Sequence, residues 1–383
     1  MPHTPNPLAP ARYLFRNASK TLPLVAVIVL AVMLIGGIVS LMNSIPLSIR
    51  TIYAYSERYV GLTPRGDPSQ TPEIRSRVEA LAPVSLDRVI VCRASDATVR
   101  SIVGKWPFVV LALNQDDLRY YLSRMDVRKI EGRIPAKGAP EALVSEPVAR
   151  NLNLRVGDEL LGPDRTEAYS PQSVRIVGIT QTDQWVMLAS REYHEANHFP
   201  PIDLLIVFAK NPNEQKVLDA WALEEFRGDR ARVFAYSQLD KDTNEMFDIL
   251  YRILNVVIGT LVLVITVMMG MLMNIYQSQR VQEFGLLQAL GYTKRSLLWR
   301  VFGETLIVVV GGWILGLVAA YLMLSGVDRL LMYPQAFALD RTDRTAFLYT
   351  LPVPIAIFIA AGITVRLRFR KFDPVGIVER RLV

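Results

Sequence analysis

Four stretches of this chain carry no charged residue over lengths that would cross a lipid bilayer. They lie between Lys20 and Arg50, Arg252 and Arg280, Glu304 and Asp328, and Arg344 and Arg366. A transmembrane helix needs about 20 predominantly apolar residues. The total of 51% hydrophobic residues would not reveal such spans, because it is close to the share in soluble proteins. The distribution predicts four membrane spans, which we assign to residues 21–43, 246–276, 303–326 and 347–366.

The sequence between the first two spans has mixed polarity and is long enough to bury a core of its own. The first apolar segment exceeds the 7–15 residues or so of a signal-peptide core, and no small-x-small cleavage pattern follows Met42. We therefore expect it to remain as an anchor. The predicted fold class is an α-helical membrane protein with four transmembrane helices and a large α/β domain, residues 44–245, inserted between spans one and two.

Lys and Arg flank the predicted spans unevenly, and such residues concentrate on the cytoplasmic side of a membrane. They outnumber acids in the tail 1–20, the connection 277–302 and the tail 367–383, whereas the connection 327–346 is balanced. We expect both termini in the cytoplasm and the large domain outside. The net charge of +7 then lies beside anionic lipid and does not call for a nucleic-acid partner. A single cysteine excludes an intrachain disulfide.

Within the large domain, apolar patterns predict two intertwined pieces. Helical patterns at 44–60 and 236–252 would continue spans one and two as a stalk. Residues 61–113 and about 200–235 alternate helical and strand-like patterns. The insert, about 114–199, contains a strand at 142–145, a helix at 146–152 and a strand at 174–179.

Glycines in the third span follow a pattern that permits close helix packing. Gly312 and Gly316 form G-x-x-x-G, and Gly311 adds another small residue. Glycine is also frequent in membrane helices without such a role, so both interpretations stand at this point.

The connection between spans two and three reads QSQRVQEFGLLQALGYTKRSLLWRVFGETL. Apolar spacing from Val281 to Leu290 predicts a short amphipathic helix, which Gly291 would end and after which Thr293 would cap the next helix. Such a helix lies in lipid headgroups or docks in a groove of a partner. Its polar face is poor in basic residues, which favours a protein partner.

This connection resembles the motif of the MacB/FtsX-like permeases of type VII ABC transporters. The matching positions are Glu283, Gly285, Ala289, Leu290, Gly291 and Glu304, and Phe284 stands where isoleucine is more usual. The insert's EALVSEPVARNLNLRVGDELLG and VRIVGI are similar to the family's extracytoplasmic domain. The tail FDPVGIVERR, with Asp373 and Pro374, is similar to its closing motif.

The resemblance implies a permease that works as a homodimer or a pair of permeases on two copies of an ABC ATPase. Since the chain has no G-x-x-x-x-G-K-[ST], ATP and Mg²⁺ would bind to that separate subunit, and this chain would not be an enzyme. The residues expected to couple the two subunits are Arg280, Glu283, Phe284, Gly285, Leu287, Ala289, Leu290, Gly291, Lys294 and Glu304. A periplasmic adaptor and an outer-membrane channel are further conceivable partners.

The expected function is export of amphipathic, lipid-like, lipopeptide or small hydrophobic substrates from a bacterial inner membrane, by motion transmitted from the ATPase. The spans contain few ionisable groups, which disfavours ion-coupled transport. The first alternative is an FtsX-like mechanotransmitter that activates an extracytoplasmic cell-wall hydrolase. The size of the domain argues mildly against it.

His194, Glu195 and His198 satisfy H-E-x-x-H, in which two histidines bind zinc and the glutamate acts as a base. Pro200 and Pro201 would stop a helix there, and a third ligand is not evident, although Glu214 or Glu224 could be proposed. We expect an exposed turn and no metal, with a membrane-anchored zinc hydrolase as the remote alternative. Three tryptophans of the domain, Trp106, Trp185 and Trp221, could line a substrate path, but we expect them in the core.

Overall fold

The computed structural model describes residues 16, 18–229 and 231–370. The described chain forms two compact units. Of the described residues, those up to Met42, Leu250–Val327 and those from Asp340 onward form the helical unit, and those within Asn43–Ile249 and Asp328–Leu339 form the α/β unit. The division confirms a large α/β domain between the first and second membrane helices.

The helical unit is built from long apolar helices. These are α1 (Ala18–Ile52), α7 (Tyr236–Ser278), α9 (Lys294–Val327) and α11 (Pro352–Arg370), with the short helices α8 (Val281–Ala289) and α10 (Arg344–Thr350) beside them. Within the described residues, four helical segments are long and apolar enough to cross a membrane: Thr21–Ile52, Tyr236–Ser278, Lys294–Gln335 and Arg344–Leu367. The prediction of four transmembrane helices is confirmed.

The glycine pattern of α9 is a packing surface for α1. A Cβ atom added at Gly316 would lie 2.7 Å from Cβ of Val32, and one added at Gly312 would lie 3.0 Å from Cβ of Ile28. A Cβ added at Gly311 would meet nothing within 4 Å. Gly312 and Gly316 therefore let the two helices approach, which decides the question that the sequence left open.

The α/β unit contains ten strands and five helices within the described residues. The strands are β1 (Val60–Thr63), β2 (Leu86–Ser101), β3 (Gly104–Leu113), β4 (Lys129–Gly132), β5 (Glu141–Ser145), β6 (Glu159–Leu161), β7 (Val174–Gln181), β8 (Met187–Ser190), β9 (Asp203–Ala209) and β10 (Arg232–Phe234). The helices are α2 (Thr71–Leu81), α3 (Gln115–Arg124), α4 (Glu146–Leu152), α5 (Arg191–Ala196) and α6 (Gln215–Glu225).

These strands form one sheet in the order β10-β1-β9-β2-β3-β8-β5-β7-β4, with β6 paired to β7. The strands of the insert join the others through the parallel pair β3–β8, in which Leu111 is the partner of Leu188. The two predicted pieces are thus halves of a single sheet. Every residue of β9, whose sequence is DLLIVFA, is buried, so both faces of the sheet are covered at this strand. Its alternate side chains enter two apolar clusters on opposite faces.

The sequence of residues 185–193 could suit a helix, but Met187–Ser190 form β8 and the helix begins only at Arg191. Pairing of β8 with β3 and β5 overrides the local preference. The tryptophans lie where a core requires them: Trp185 is buried, and Trp106 and Trp221 pack against the two clusters.

The connection between α9 and α10 folds as part of the α/β unit. It contains a π-helical turn at Asp328–Met332 and a 3₁₀ turn at Tyr333–Gln335. The guanidinium of Arg150 lies 4.3 Å from the centre of the Tyr333 ring, and Nδ2 of Asn151 donates to the carbonyl oxygen of Gln335 at 2.7 Å. The connection is therefore docked onto α4.

Candidate functional site

The connection between α7 and α9 forms the short helix α8 and two well-defined turns. Gly291 has φ +94°, a left-handed conformation that glycine adopts without strain, and its N–H donates to the carbonyl oxygen of Gln288 at 2.9 Å. Oγ1 of Thr293 accepts from the N–H of Ser296 at 3.3 Å, at the start of α9. The stop and start signals of the sequence act as predicted.

One side of α8 is fixed to the rest of the helical unit by apolar packing. Phe284 is 2% exposed and shares a cluster with Leu297, Val301 and Val365. Those three residues lie on α9 and α11. Burial of a phenylalanine side chain contributes about 1.5–3 kcal/mol, so α8 is held against two of the long helices.

Four charged side chains form a buried ion-pair network at the base of α8, which we call the charge quartet: Arg280, Glu283, Arg300 and Glu304. Arg280 lies 2.5 Å from Glu304 and 3.0 Å from Glu283, and Arg300 lies 3.1 Å from Glu304 and 3.2 Å from Glu283. The side chains of Arg280, Arg300 and Glu304 are 2%, 6% and 3% exposed. Among the described residues, the two cations and two anions of the quartet balance one another, which lowers the cost of burying them.

Aromatic rings complete the surroundings of Arg280. Its guanidinium lies 5.3 Å from the centre of the Tyr276 ring and 5.0 Å from that of Phe284. Its Nη1 also donates to the hydroxyl oxygen of Tyr276 at 3.3 Å. Cation–π contacts and hydrogen bonds offset the cost of removing this charge from water.

Sequence reasoning named three members of the charge quartet and missed Arg300. The i,i+4 spacing of Arg300 and Glu304 on one helix could have indicated it. The quartet joins the end of α7, the start of α8 and the first turns of α9. Ion pairs as well as the backbone therefore connect these segments.

The opposite side of α8 is exposed, and the exposed surface continues through the turn after it to the start of α9. We call this surface the outward face: Leu286, Leu290 and Lys294. Leu286 is 66% and Leu290 70% exposed, and Lys294 is exposed. Of the other residues expected to couple, Ala289 and Gly291 are exposed as well. Glu283, Phe284, Gly285 and Leu287 are instead turned partly or wholly toward the chain. The residues expected to couple therefore divide into those that anchor α8 to the chain and those that are exposed to a partner.

The H-E-x-x-H residues do not converge on a common point. His194 is buried, its Nδ1 donates to the carbonyl oxygen of Ser190 at 3.1 Å, and its ring lies 4.0 Å from that of Phe199. His198 is exposed beyond the end of α5, with φ +58°. Glu195 pairs with Arg191 at 2.8 Å. Within the described residues, no group of three or more His, Cys, Asp or Glu is placed to hold a metal ion.

His194 is thus a core residue, which corrects the expectation of a fully exposed turn. Burial lowers its pKa from 6.5 to about 4. The folded chain then resists protonation that the unfolded chain accepts, so stability is full above pH 6.5 and falls until about pH 4. The loss for this group is about 3 kcal/mol.

We expect His194→Gln to remove that loss, since glutamine does not titrate. The measurement is the free energy of unfolding of the full chain in detergent at pH 7.5, 5.5 and 4.5, for both proteins. Burial raises the pKa of Asp219 to about 6, which acts in the opposite direction, so the difference between the two proteins is compared. A difference that does not change with pH would contradict the assignment of His194 as a buried neutral group.

Residues 255–374 match the family model described as "FtsX-like permease C-terminal". This range includes Asp373 and Pro374, which lie outside the described residues. No curated protein matches the chain.

Three solved structures are similar to part of it. The periplasmic region of MacB from Actinobacillus actinomycetemcomitans has 8% identity and a TM-score of 0.28, and the match covers 51% of this chain and 94% of that one. The extracellular domain of the transporter YknZ from Gram-positive bacteria has 14% identity and a TM-score of 0.23, covering 46% and 99%. A permease domain from Porphyromonas gingivalis has 13% identity and a TM-score of 0.23, covering 47% and 89%.

At these TM-scores the structural similarities do not by themselves establish a shared fold. The family match is the decisive comparison, because it covers α8, the charge quartet and the helices around them. It shows that residues 255–374 are similar to the C-terminal domain of the FtsX-like permeases.

Proposed function

We propose that this chain is the permease subunit of an ATP-driven exporter and that α8 receives motion from a separate ATPase subunit. The observation that carries the proposal is the division of α8 into two sides. Its anchoring side is held by Phe284 and by the charge quartet, while its outward face exposes Leu286 and Leu290. Because α8 is fixed to its neighbours, a force on the outward face would be transmitted to α7 and α9. The connection between those two helices would not deform first.

The subunit that binds ATP and Mg²⁺ is proposed to be another chain, present in two copies, because these 383 residues contain no P-loop motif. A leucine pair on a short helix fits a hydrophobic groove on such a subunit. Lys294 would add a contact to an acidic rim. The whole assembly would contain a second permease, identical or related.

The proposed route of the motion follows the chain. The helix α7 is continuous over 43 residues, from Tyr236 in the α/β unit to Ser278 beside the charge quartet. A rigid helix of this length can transmit a displacement from the cytoplasmic side to an extracytoplasmic domain. We propose a bacterial inner-membrane location with both termini inside, and amphipathic or lipid-like substrates. In a cell with a second membrane, an adaptor protein and an outer-membrane channel would carry the substrate onward.

The test is stimulation of the partner ATPase by the reconstituted permease. We expect the double substitution Leu286→Asp and Leu290→Asp to reduce stimulation at least tenfold, since two interface side chains worth about 1 kcal/mol or more each would be lost. Both residues are exposed, so folding should be retained. Leu81→Asp, at an exposed leucine of α2, is the matched control and should leave stimulation unchanged. Full stimulation by the double variant would overturn the proposal for α8.

A second candidate function is the activation of a cell-wall hydrolase without substrate transport. A cavity in the α/β unit favours this alternative. It measures about 290 Å³ and is lined by charged side chains, including Arg100, Arg165 and Glu167. Such a surface suits a polar protein partner better than an apolar substrate. Transport of a fluorescent lipopeptide by the reconstituted complex would support export, whereas ATP-dependent hydrolase activation without transport would support the alternative.

A further inference from the structure

A second cavity lies inside the helical unit and has a different chemical character. It measures about 290 Å³ and is formed by α1, α9, α10 and the segment 341–344. Its walls include Gly36, Leu317, Ala320, Leu324 and Phe347. It lies at the ends of α1 and α9 from which the chain leaves for the α/β unit, far along these helices from the charge quartet.

Small side chains create this space, and neighbouring contacts hold it open. A Cβ atom added at Gly36 would lie 3.5 Å from Cγ2 of Thr350 and 3.7 Å from Cβ of Ala320, which are ordinary contacts. Nε1 of Trp313 donates to Oγ1 of Thr350 at 3.1 Å, and the Trp313 ring lies 5.4 Å from that of Phe347. The indole of Trp313 therefore supports one wall of the cavity from behind, without lining it.

The rim of the cavity is polar. Oγ of Ser40 donates to the carbonyl oxygen of Asp340 at 2.9 Å, which ties the rim segment to α1. The carboxylate of Asp343 accepts from the N–H of Thr345 at 2.8 Å and caps α10. Arg344 also lines the cavity, is exposed, and within the described residues its side chain makes no hydrogen bond or ion pair.

We propose that this cavity binds a membrane phospholipid, with part of an acyl chain between the apolar walls and the headgroup phosphate on Arg344. An apolar space between membrane helices takes hydrocarbon without a desolvation cost, and a guanidinium at the level of the headgroups binds phosphate through charge-assisted hydrogen bonds. The volume suits one chain segment and excludes a folded polypeptide. The site would exist whether or not the chain exports lipid, because its lining residues all belong to this chain.

Trp313 supplies a reporter for this site. The full chain in detergent would be titrated with dibrominated phosphatidylglycerol, whose bromines quench nearby indoles, and the signal of a Trp313→Phe variant would be subtracted to remove the other tryptophans. We expect saturable quenching, with Arg344→Gln weakening the apparent affinity about fivefold, the effect of one basic contact. Dibrominated diacylglycerol, which lacks the phosphate, should bind with a similarly weakened affinity.

Two further variants test the cavity itself. Ala320→Leu should abolish the saturable component by filling the space, and Val318→Leu, on the exposed side of α9, should not change it. Should Ala320→Leu fail to fold, Gly36→Ala adds one methyl at ordinary contact distance and should reduce the saturable component. Quenching that persists in the filled variants would overturn the cavity site. An equal affinity for both lipids, or displacement of the lipid by millimolar inorganic phosphate alone, would overturn the proposed phospholipid.

Discussion

Replacing Glu304 by alanine is expected to destabilise the helical unit by about 3–5 kcal/mol, the largest single effect that this structure indicates. Glu304 is 3% exposed and bonds to both Arg280 and Arg300. Its removal takes one of the two carboxylates of the charge quartet away from the buried Arg280 and Arg300, and the other, Glu283, has a side chain that is 31% exposed. The measurement is denaturant unfolding of the purified chain in mixed micelles, compared with the unsubstituted protein.

A double variant separates loss of charge balance from loss of side-chain volume. Arg280→Met with Glu304→Leu removes one cation and one anion and leaves Arg300 paired with Glu283 at 3.2 Å. Much of the stability should return, because replacing a whole buried pair by apolar groups is often nearly neutral. Glu245→Ala is the surface control, since Glu245 forms an exposed i,i+4 pair with Lys241, and it should have little effect. Equal losses for Glu304→Ala and Glu245→Ala would contradict the role of the quartet.

Substituting valine for Gly316 is expected to separate α9 from α1 at a cost of about 1–3 kcal/mol or more. The added Cβ would lie 2.7 Å from Cβ of Val32 and 3.2 Å from the backbone oxygen of Val29. Neither atom is the flexible end of a side chain, so the helices themselves must shift. Thermal unfolding in detergent measures the loss.

Gly311→Val is the matched control on the same helix, because a Cβ there meets nothing within 4 Å. The same residue type is introduced in the same helical conformation, so differences in helix propensity cancel. We expect a lower melting temperature for the Gly316 variant and little change for the Gly311 variant. Equal melting temperatures would show that the glycine pattern of α9 does not bring these helices together.

Much of the fold follows from local sequence. The charge-free stretches predict the spans because the membrane excludes charge, and Gly291 and Thr293 predict the turns around α8 through backbone conformation and capping. The helix Glu146–Leu152 has the predicted bounds. Such features depend on a few neighbouring residues and can therefore be predicted from the sequence alone.

Features that depend on residues far apart in the sequence could not be predicted from it. The segment Met187–Ser190 is a strand because two remote strands pair with it. Docking of Tyr333 and Gln335 on α4 joins residues more than 180 positions apart, and the sequence showed only a short connection. Which side of α8 is buried was also undetermined, since Phe284 and Leu286 are both apolar and only packing against α9 and α11 distinguishes them.

Site-specific photo-crosslinking in native membranes would show whether the outward face of α8 contacts an ATPase subunit, as we propose. A photoreactive residue would replace Leu286 or Leu290, with the exposed Leu81 as the control position, and the captured chain would be identified by mass. We expect positions 286 and 290 to capture one protein bearing a G-x-x-x-x-G-K-[ST] motif, with a yield that ATP changes, and position 81 not to capture it. Capture of lipid alone at both positions, with and without ATP, would contradict the assignment of this helix as the coupling element.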